Sequence, residues 1–384
     1  MHSPKIRSAF FLFMIAEDLI KYVESWAPPG AAWEKDNVGL QVGDTRDKIK
    51  NVLLALDLNK EVINQALKKN CNFIFTHHPF IFNPIKKLDF KNNPKAEQIK
   101  LAVQKKLTIF SAHTNLDFIK DGVSFELAKI LKLKNVSFLL NQESNQVKVV
   151  VFVPTDKVDN VSTAIFEAGG GIIGEYSNCS YRLEGIGTFK GSEETKPAVG
   201  KKGKFEQAAE TRLEVLVDQW KLKNLINEMI KAHPYEEVAY DIYPLKNKNV
   251  NYGIGAIGEL ERGMEQNEFL EHVNKKLKAA NLRFTKGKSK LIKKVAVCGG
   301  SGSDLVSTAI SYGADAFITA DVKYHTFQDA EGKILLVDAG HYETEIHSLN
   351  FVQKKLQKFL KDNNSNVKVY KYTGTTNPVS FYIT

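Results

Sequence analysis

The 384-residue chain is long enough for two domains, each with its own core, and its 43% hydrophobic and 25% charged residues are an ordinary globular mixture. No apolar run approaches the roughly 18 residues that a membrane helix needs, and the three widely spaced cysteines, Cys71, Cys179 and Cys298, argue against a disulfide framework and for a reducing, cytoplasmic setting. The formal charge of +9 raises nucleic acid as a partner, but only six of the 53 basic residues are Arg, the residue suited to bidentate phosphate and base-edge contacts, so the lysines read as solvated surface and nucleic acid is disfavoured.

In chain order, residues 9–16 are a short apolar stretch with no small-residue cleavage site after it, so a secretory signal is not assigned. Residues 1–13 carry no clear pattern and are expected to be disordered or to precede a true start at Met14. From 14 to 26, Ile15, Leu19, Ile20, Tyr22 and Val23 fall at helical spacing and stop before Pro28-Pro29-Gly30. Residues 33–44 read as a loop leading into a short strand, in which Asp36 and Asn37 are either turn formers or site residues. Then 50–56 reads as a strand, 59–69 as a helix and 72–76 as a second strand, one βαβ unit.

That second strand ends in His77-His78. A buried strand of a parallel sheet delivers the residues after it to the carboxyl edge, where α/β proteins place their ligand sites. Adjacent histidines cannot place both rings on one side of a strand, so the pair is expected on a turn, serving one metal ion or two.

The same unit recurs. Residues 52–76 align without a gap on 295–319, strand on strand and helix on helix, although Ala320-Asp321 stand where His77 and His78 would. A further strand at 107–112 ends at His113 and, four residues on, Asp117; its counterpart at 334–339 ends at Gly340-His341 and reaches Glu345. A duplicated α/β unit facing itself would gather His77, His78, Asp117, His341 and Glu345 around one cleft, with His341 and Glu345 sharing a helix face at i and i+4.

Between the copies, the pattern is strand 147–153, helix 158–168, strand 180–189, a Gly/Lys/Glu-rich loop 190–206, strand 212–217, helix 222–232 and strand 238–244. That βαββαβ order is ferredoxin-like. The expected architecture is therefore a duplicated α/β metal-binding domain, residues 1–140 plus 250–384, interrupted by an inserted domain at 141–249.

His, Asp and Glu without Cys suit Zn²⁺, Mn²⁺ or Fe²⁺. Two such ions roughly 3.5–4 Å apart clamp a polar substrate and favour hydrolysis. His113 lacks a partner by spacing and is a candidate to support a ligand or to move a proton, as are Tyr324 and His325, each against the alternative of a plain structural residue. His2, His272 and His347 are assigned to the surface. His233-Pro234-Tyr235-Glu236-Glu237 reads as a helix stop rather than a ligand site, and Gly299-Gly300-Ser301-Gly302-Ser303 as a weak phosphate cradle without the lysine of a P-loop.

The segments Asp36-Asn37-Val38-Gly39-Leu40, Thr76-His77-His78-Pro79, Ala112-His113-Thr114-Asn115-Leu116-Asp117, Gly313-Ala314-Asp315 with Thr319 and Asp321, and Gly340-His341 with Glu345 resemble the dinuclear-metal hexameric proteins of the YqfO/YbgI type, the type 2 GTP cyclohydrolase I homologues. The resemblance covers nearly the whole chain. It implies two divalent ions per subunit on His77, His78, Asp117, His341 and Glu345, and a toroidal homo-hexamer whose metal sites face an internal cavity. Cys179-Ser180-Tyr181-Arg182 and His233-Pro234-Tyr235-Glu236-Glu237 resemble marks of the trimeric PII/CutA-like insert of the longer members. Two functions follow as expectations: a metal-dependent hydrolase that opens the imidazole ring of GTP and releases formate, or a non-catalytic metal-handling or regulatory hexamer whose insert binds an effector.

Overall fold

The computed structural model describes residues 13–143 and 145–382; the expectations for residues 1–12, His2 among them, lie outside the described residues. The chain forms two compact units, one built from the residues up to Leu140 together with those from Tyr252 onward, the other Asn141–Asn251. It is a mixed α/β protein.

The first unit holds two sheets. In the five-stranded sheet, Phe73–Thr76 lies between Asn51–Ala55 and Thr108–Ser111, all three parallel, with Lys368–Lys371 parallel on one flank and Gly39–Val42 antiparallel on the other. The β-branched and aromatic run Phe73-Ile74-Phe75-Thr76 is buried on both faces, as a central parallel strand must be. One face packs Phe73, Phe75 and Phe110 against Leu19, Val23, Val352 and Phe359 from the helices Ala16–Trp26 and Ser348–Asp362. On the other, Ile74 and Ile109 meet Val62, Ile63 and Ala66 of the helix Lys60–Lys68. Asn59 caps that helix, its side chain accepting the Val62 N–H at 2.8 Å.

The six-stranded sheet repeats the plan. Leu291–Ser301, Ala316–Ala320 and Leu335–Asp338 run parallel at its centre, with Gly253–Glu265, Lys134–Asn141 and Arg283–Thr285 completing it. Hydrophobic clusters cover both of its faces. The registers Ala55↔Thr76↔Ser111 and Thr319↔Asp338 bring the strand ends level, so each sheet presents several loop residues at one edge.

In the second unit, strand Gln146–Pro154, helix Val158–Glu167, strands Tyr181–Lys190 and Phe205–Asp218, helix Leu222–Ala232 and strand Tyr240–Pro244 follow in order. The four strands form one antiparallel sheet, with Gln146–Pro154 between Phe205–Asp218 and Tyr240–Pro244 and with Tyr181–Lys190 at the edge. Both helices bury Val161, Ile165, Leu225 and Met229 against Val149, Val151, Leu213 and Val215. The strand expected at 212–217 starts at Phe205 because it pairs with the whole of Tyr181–Lys190. Its added part is a solvent-facing hairpin rich in Glu and Gln, which shows no apolar alternation.

Candidate metal centre

The edges of the two sheets of the first unit meet at a cluster of imidazoles and carboxylates. From the first sheet, Asp57 follows Asn51–Ala55, His77 and His78 follow Phe73–Thr76, and His113 follows Thr108–Ser111 before the short helix Thr114–Asp117. From the second, Asp321 follows Ala316–Ala320, and the helix His341–Glu345 starts three residues after Leu335–Asp338. The adjacent histidines occupy a bend, and their rings stand 4.9 Å apart between centroids at 48°.

Four histidines share one arrangement. Each Nδ1 faces an oxygen acceptor: the Ala112 carbonyl for His77 at 2.9 Å, Asp57 for His78 at 2.8 Å, Asp36 for His113 at 2.9 Å and Asp321 for His341 at 2.6 Å. Assigned from those contacts, a proton sits on every Nδ1 and every Nε2 is turned to the cluster, which is how proteins orient metal-binding imidazoles. His78 Nε2 and His341 Nε2 stand 3.3 Å apart. Two lone pairs at that distance repel unless a proton or a metal ion serves them.

Glu345 closes the cluster. Its Oε1 is 3.1 Å from His341 Nε2 and 3.7 Å from His77 Nε2, its Oε2 is 3.0 Å from His78 Nε2, and Asp117 Oδ1 is 3.6 Å from His77 Nε2. His77 is fully buried and Glu345 nearly so. Yet His77 Nε2, Asp117 Oδ1 and Glu345 Oε2 are buried atoms with no hydrogen bond. Leaving three polar atoms unsatisfied costs about 1–3 kcal/mol each. A divalent ion satisfies them together, so the donor set fits a metal. Two groups can converge on an ion, His77–His78–His113 and His78–His341–Glu345, with donor atoms within 4.8 Å in each.

The charges follow the packing. Burial works against charging His78, but the hydrogen bond it makes to Asp57 and the negative charge of the nearby Asp57 and Glu345 carboxylates outweigh it and raise its pKa to about 10; His341, balanced in the same way by the Glu345 and Asp321 carboxylates, rises to about 9. Burial raises Asp117. Glu345 is buried too, but the imidazoles around it drive it well below the carboxylate range. Asp36, with a side chain only 2% exposed, overcomes its burial through hydrogen bonds from His113 and Thr114 and falls to about 2.

Backbone geometry leaves room for these groups. Gly300 has φ +65°, and a Cβ there would lie 2.3 Å from Glu345 Oε1 and 3.3 Å from His341 Nε2. This corrects the phosphate-cradle reading of 299–303. The N–H groups of Gly299, Gly300 and Gly302 donate to Ser124, Thr344 and Thr319, so they are spent inside the protein, and the glycines serve close approach instead.

The structure brings His77, His78, Asp117, His341 and Glu345 together, and it adds His113 to them. Tyr324 and His325 lie on the helix Tyr324–Ala330, Tyr324 71% exposed, in contact with each other and with Gln328. His233 is structural: Nε2 donates to the Phe152 carbonyl and Nδ1 accepts the Tyr235 N–H. His272 and His347 are half-buried, not surface residues; His272 bonds the Leu131 carbonyl, and burial lowers the pKa of His347. Asp57 was missed by sequence reasoning. Its signal was present, a carboxylate two residues past a strand whose neighbour ends in His-His, but the second copy carries Gly300 at that position and gave no echo.

Beside the cluster opens a cleft of about 560 Å³. Asp57, Asp321, Asp338, Glu343 and Arg283 line it along with His78 and His341, and Tyr342, Pro378, Val379 and Phe381 form its apolar wall. The Arg283 guanidinium is paired with Asp338.

The family model of Duf34/NIF3 (NGG1p interacting factor 3) matches residues 14–378. The chain belongs to this family. Among its NIF3 relatives, proteins called "GTP cyclohydrolase 1 type 2 homolog" from Halalkalibacterium halodurans and Bacillus subtilis are 38% and 36% identical to it, over 95% of this chain and 98% of each relative. The crystal structure of a Bacillus cereus protein related to NIF3 superposes with a TM-score of 0.84 at 36% identity, covering 97% of this chain and 100% of that one. Among the described residues of this NIF3 protein, no helix is long and apolar enough to cross a membrane.

Proposed function

We propose that the cluster holds two divalent ions, Zn²⁺, Fe²⁺ or Mn²⁺, and that the chain is a metal-dependent hydrolase of the GTP cyclohydrolase 1 type 2 kind. The observation that carries this is the convergence of His77 Nε2, Asp117 Oδ1 and Glu345 Oε2, buried and unsatisfied, on the Nε2 atoms of three further histidines. An imidazole nitrogen serves one ion, whereas a carboxylate can serve two. His77 and Asp117, with His113 beside them, would therefore hold one ion, His78 and His341 the other, and Glu345 both. Bound there, the ions would supply Lewis acidity and activate water for hydrolysis.

The chain's own groups supply the rest. His113, oriented by Asp36, lies beside the first ion's ligands, and its Nε2, where no ion takes it, is placed to move a proton. Tyr324 and His325 are outer candidates for touching a substrate. The names of the Halalkalibacterium and Bacillus subtilis relatives support GTP, opened at its imidazole ring with loss of formate. The test begins with the metal-to-subunit ratio of the purified protein and of His78→Ala, followed by formate release from GTP. Two ions per subunit, fewer in the variant, and formate from the loaded protein support the reading. No bound metal after reloading rejects it.

One observation favours a second reading, a non-catalytic metal handler or regulator. Four carboxylates, Asp57, Asp321, Asp338 and Glu343, line the cleft against one paired arginine, a lining that draws cations and repels a triphosphate. Weak, exchangeable metal with no turnover of GTP would favour it.

We also read residues 141–249 as a ferredoxin-like inserted domain; its strand order and its two helices on one face support that. The PII/CutA-like character of the insert, its effector and the homo-hexamer rest on the resemblance, and sedimentation of the purified chain tests the last. Three free cysteines support a cytoplasmic setting.

A further inference from the structure

The polypeptide after the strand Lys368–Lys371 does not leave the metal cluster. Tyr372 donates its N–H to the Leu54 carbonyl at 2.8 Å, and Thr373 exchanges two hydrogen bonds with the Gln65 side chain at 2.7 and 3.1 Å. Further on, Asn377 donates to Glu343 Oε1 at 3.0 Å. Between those anchors, Thr376 donates its hydroxyl to Asp57 Oδ2 at 2.7 Å, and the other oxygen of the same carboxylate receives His78 Nδ1 at 2.8 Å. Thr376 and Asn377 are half-buried while residues 373–375 and 378–382 are exposed, so these two side chains turn inward from an otherwise solvated segment.

We infer that Thr376 is a positioning residue of the metal centre: its hydroxyl fixes the Asp57 carboxylate in the rotamer that holds His78 with Nε2 toward the cluster. A carboxylate on a short side chain turns freely about its terminal bond, and one hydrogen bond to His78 leaves that rotation loosely defined. The second bond, from a segment 319 positions away in sequence, removes it. Asp36 likewise has a threonine: Thr114 donates both its backbone N–H and its hydroxyl to Oδ2 while the carboxylate grips His113. Among the described residues, the Asp321 carboxylate on His341 Nδ1 has no such threonine hydroxyl bonded to it. The C-terminal segment is therefore part of the site, acting through Asp57 on the ion that His78 and His341 would share.

The inference rests on the two-ion reading, and its test uses binding rather than turnover. Co²⁺ is titrated into the metal-free full-length chain, followed by visible absorbance, for wild type, Thr376→Val, Thr376→Ser and Asp36→Asn, with the thermal midpoint of each metal-free protein measured alongside. Valine keeps the shape of threonine without the donor, and serine keeps the donor. Expected is a loss of about 10- to 100-fold in affinity for one of two ions in Thr376→Val, with a changed spectrum at that step. Serine should restore wild-type behaviour, the metal-free midpoints of the two Thr376 variants should agree with wild type, and Asp36→Asn should weaken the other ion. Wild type binding two ions with Thr376→Val indistinguishable from it overturns this inference alone, as does an equal loss in the serine variant. A wild-type chain that takes up no Co²⁺ overturns the two-ion reading and this inference with it.

Discussion

Replacing Gly300 with alanine is expected to separate metal binding from stability. The backbone there has φ +65°, a left-handed conformation that costs an alanine about 1–2 kcal/mol. The new methyl would sit 2.3 Å from Glu345 Oε1, where ordinary contact begins at 3.4 Å, so the carboxylate must retreat by about 1 Å. Glu345 cannot take up that shift without loss, because its Oε1 also lies 3.1 Å from His341 and its buried position leaves little free volume. Gly313→Ala is the control: its φ of +71° imposes the same strain, but its methyl meets nothing within 4 Å. The backbone strain they share should cost both variants about 1–2 kcal/mol, roughly 2–8 °C in the thermal midpoint of the metal-free protein, with any excess in Gly300→Ala measuring the displacement of Glu345. Only Gly300→Ala should also lose metal, by at least the 10- to 100-fold that follows disturbance of a supporting group. Calorimetric titration of Zn²⁺ into both variants is the assay. Wild-type affinity and stoichiometry in Gly300→Ala would refute the placement of Glu345 as a ligand.

Metal uptake should release protons. His78 and His341 have pKa values near 10 and 9 in the metal-free protein, so both are protonated at pH 7 and must be neutral to bind; affinity should rise from pH 6 to 9 and level off above about 10. Calorimetry in two buffers of different ionisation enthalpy counts those protons, and a count of zero would contradict the assignment. Raised histidine pKa values also mean that, without metal, their contribution to stability is complete below about pH 6.5 and lost as pH rises through 9 to 10; denaturant midpoints of the metal-free protein at pH 6 and 10 check the sign. Phe75→Ala, in a fully buried strand two residues before His77, should cost about 3–5 kcal/mol in urea unfolding. Excising residues 142–248 with a short linker should leave the metal content unchanged, since the donors all lie in the first unit and the Asn249 N–H meets the Gln142 carbonyl at 2.8 Å; a metal-free product would count against two independent domains.

Much of the site was legible because its donors follow strands. Buried parallel strands announce themselves as short apolar runs, and Phe73-Ile74-Phe75-Thr76 ends directly on His77. The spacing of His341 and Glu345 indicated a shared helix face, and they occupy one. His113 was legible as a histidine at a strand end but not as a neighbour of His77, because the 5.2 Å between their rings depends on strand pairing. The helix Ser348–Asp362 buries Leu349, Val352, Leu356, Phe359 and Leu360 at regular helical spacing, a signal present in the chain and not drawn from it.

By itself the sequence determined what short-range chemistry can encode: the duplicated strand–helix–strand units, the order of elements at 146–244 and the histidines and carboxylates at the strand ends. Only the tertiary structure decided their partners. That Asp57 meets His78, Asp36 meets His113, Asp321 meets His341 and Thr376 reaches Asp57 follows from strand register and from the meeting of two sheet edges. Those contacts span 20 to 319 positions and leave no local periodicity, since a lone Asp or Thr in a loop has the same intrinsic preferences whether it caps a turn or holds a ligand.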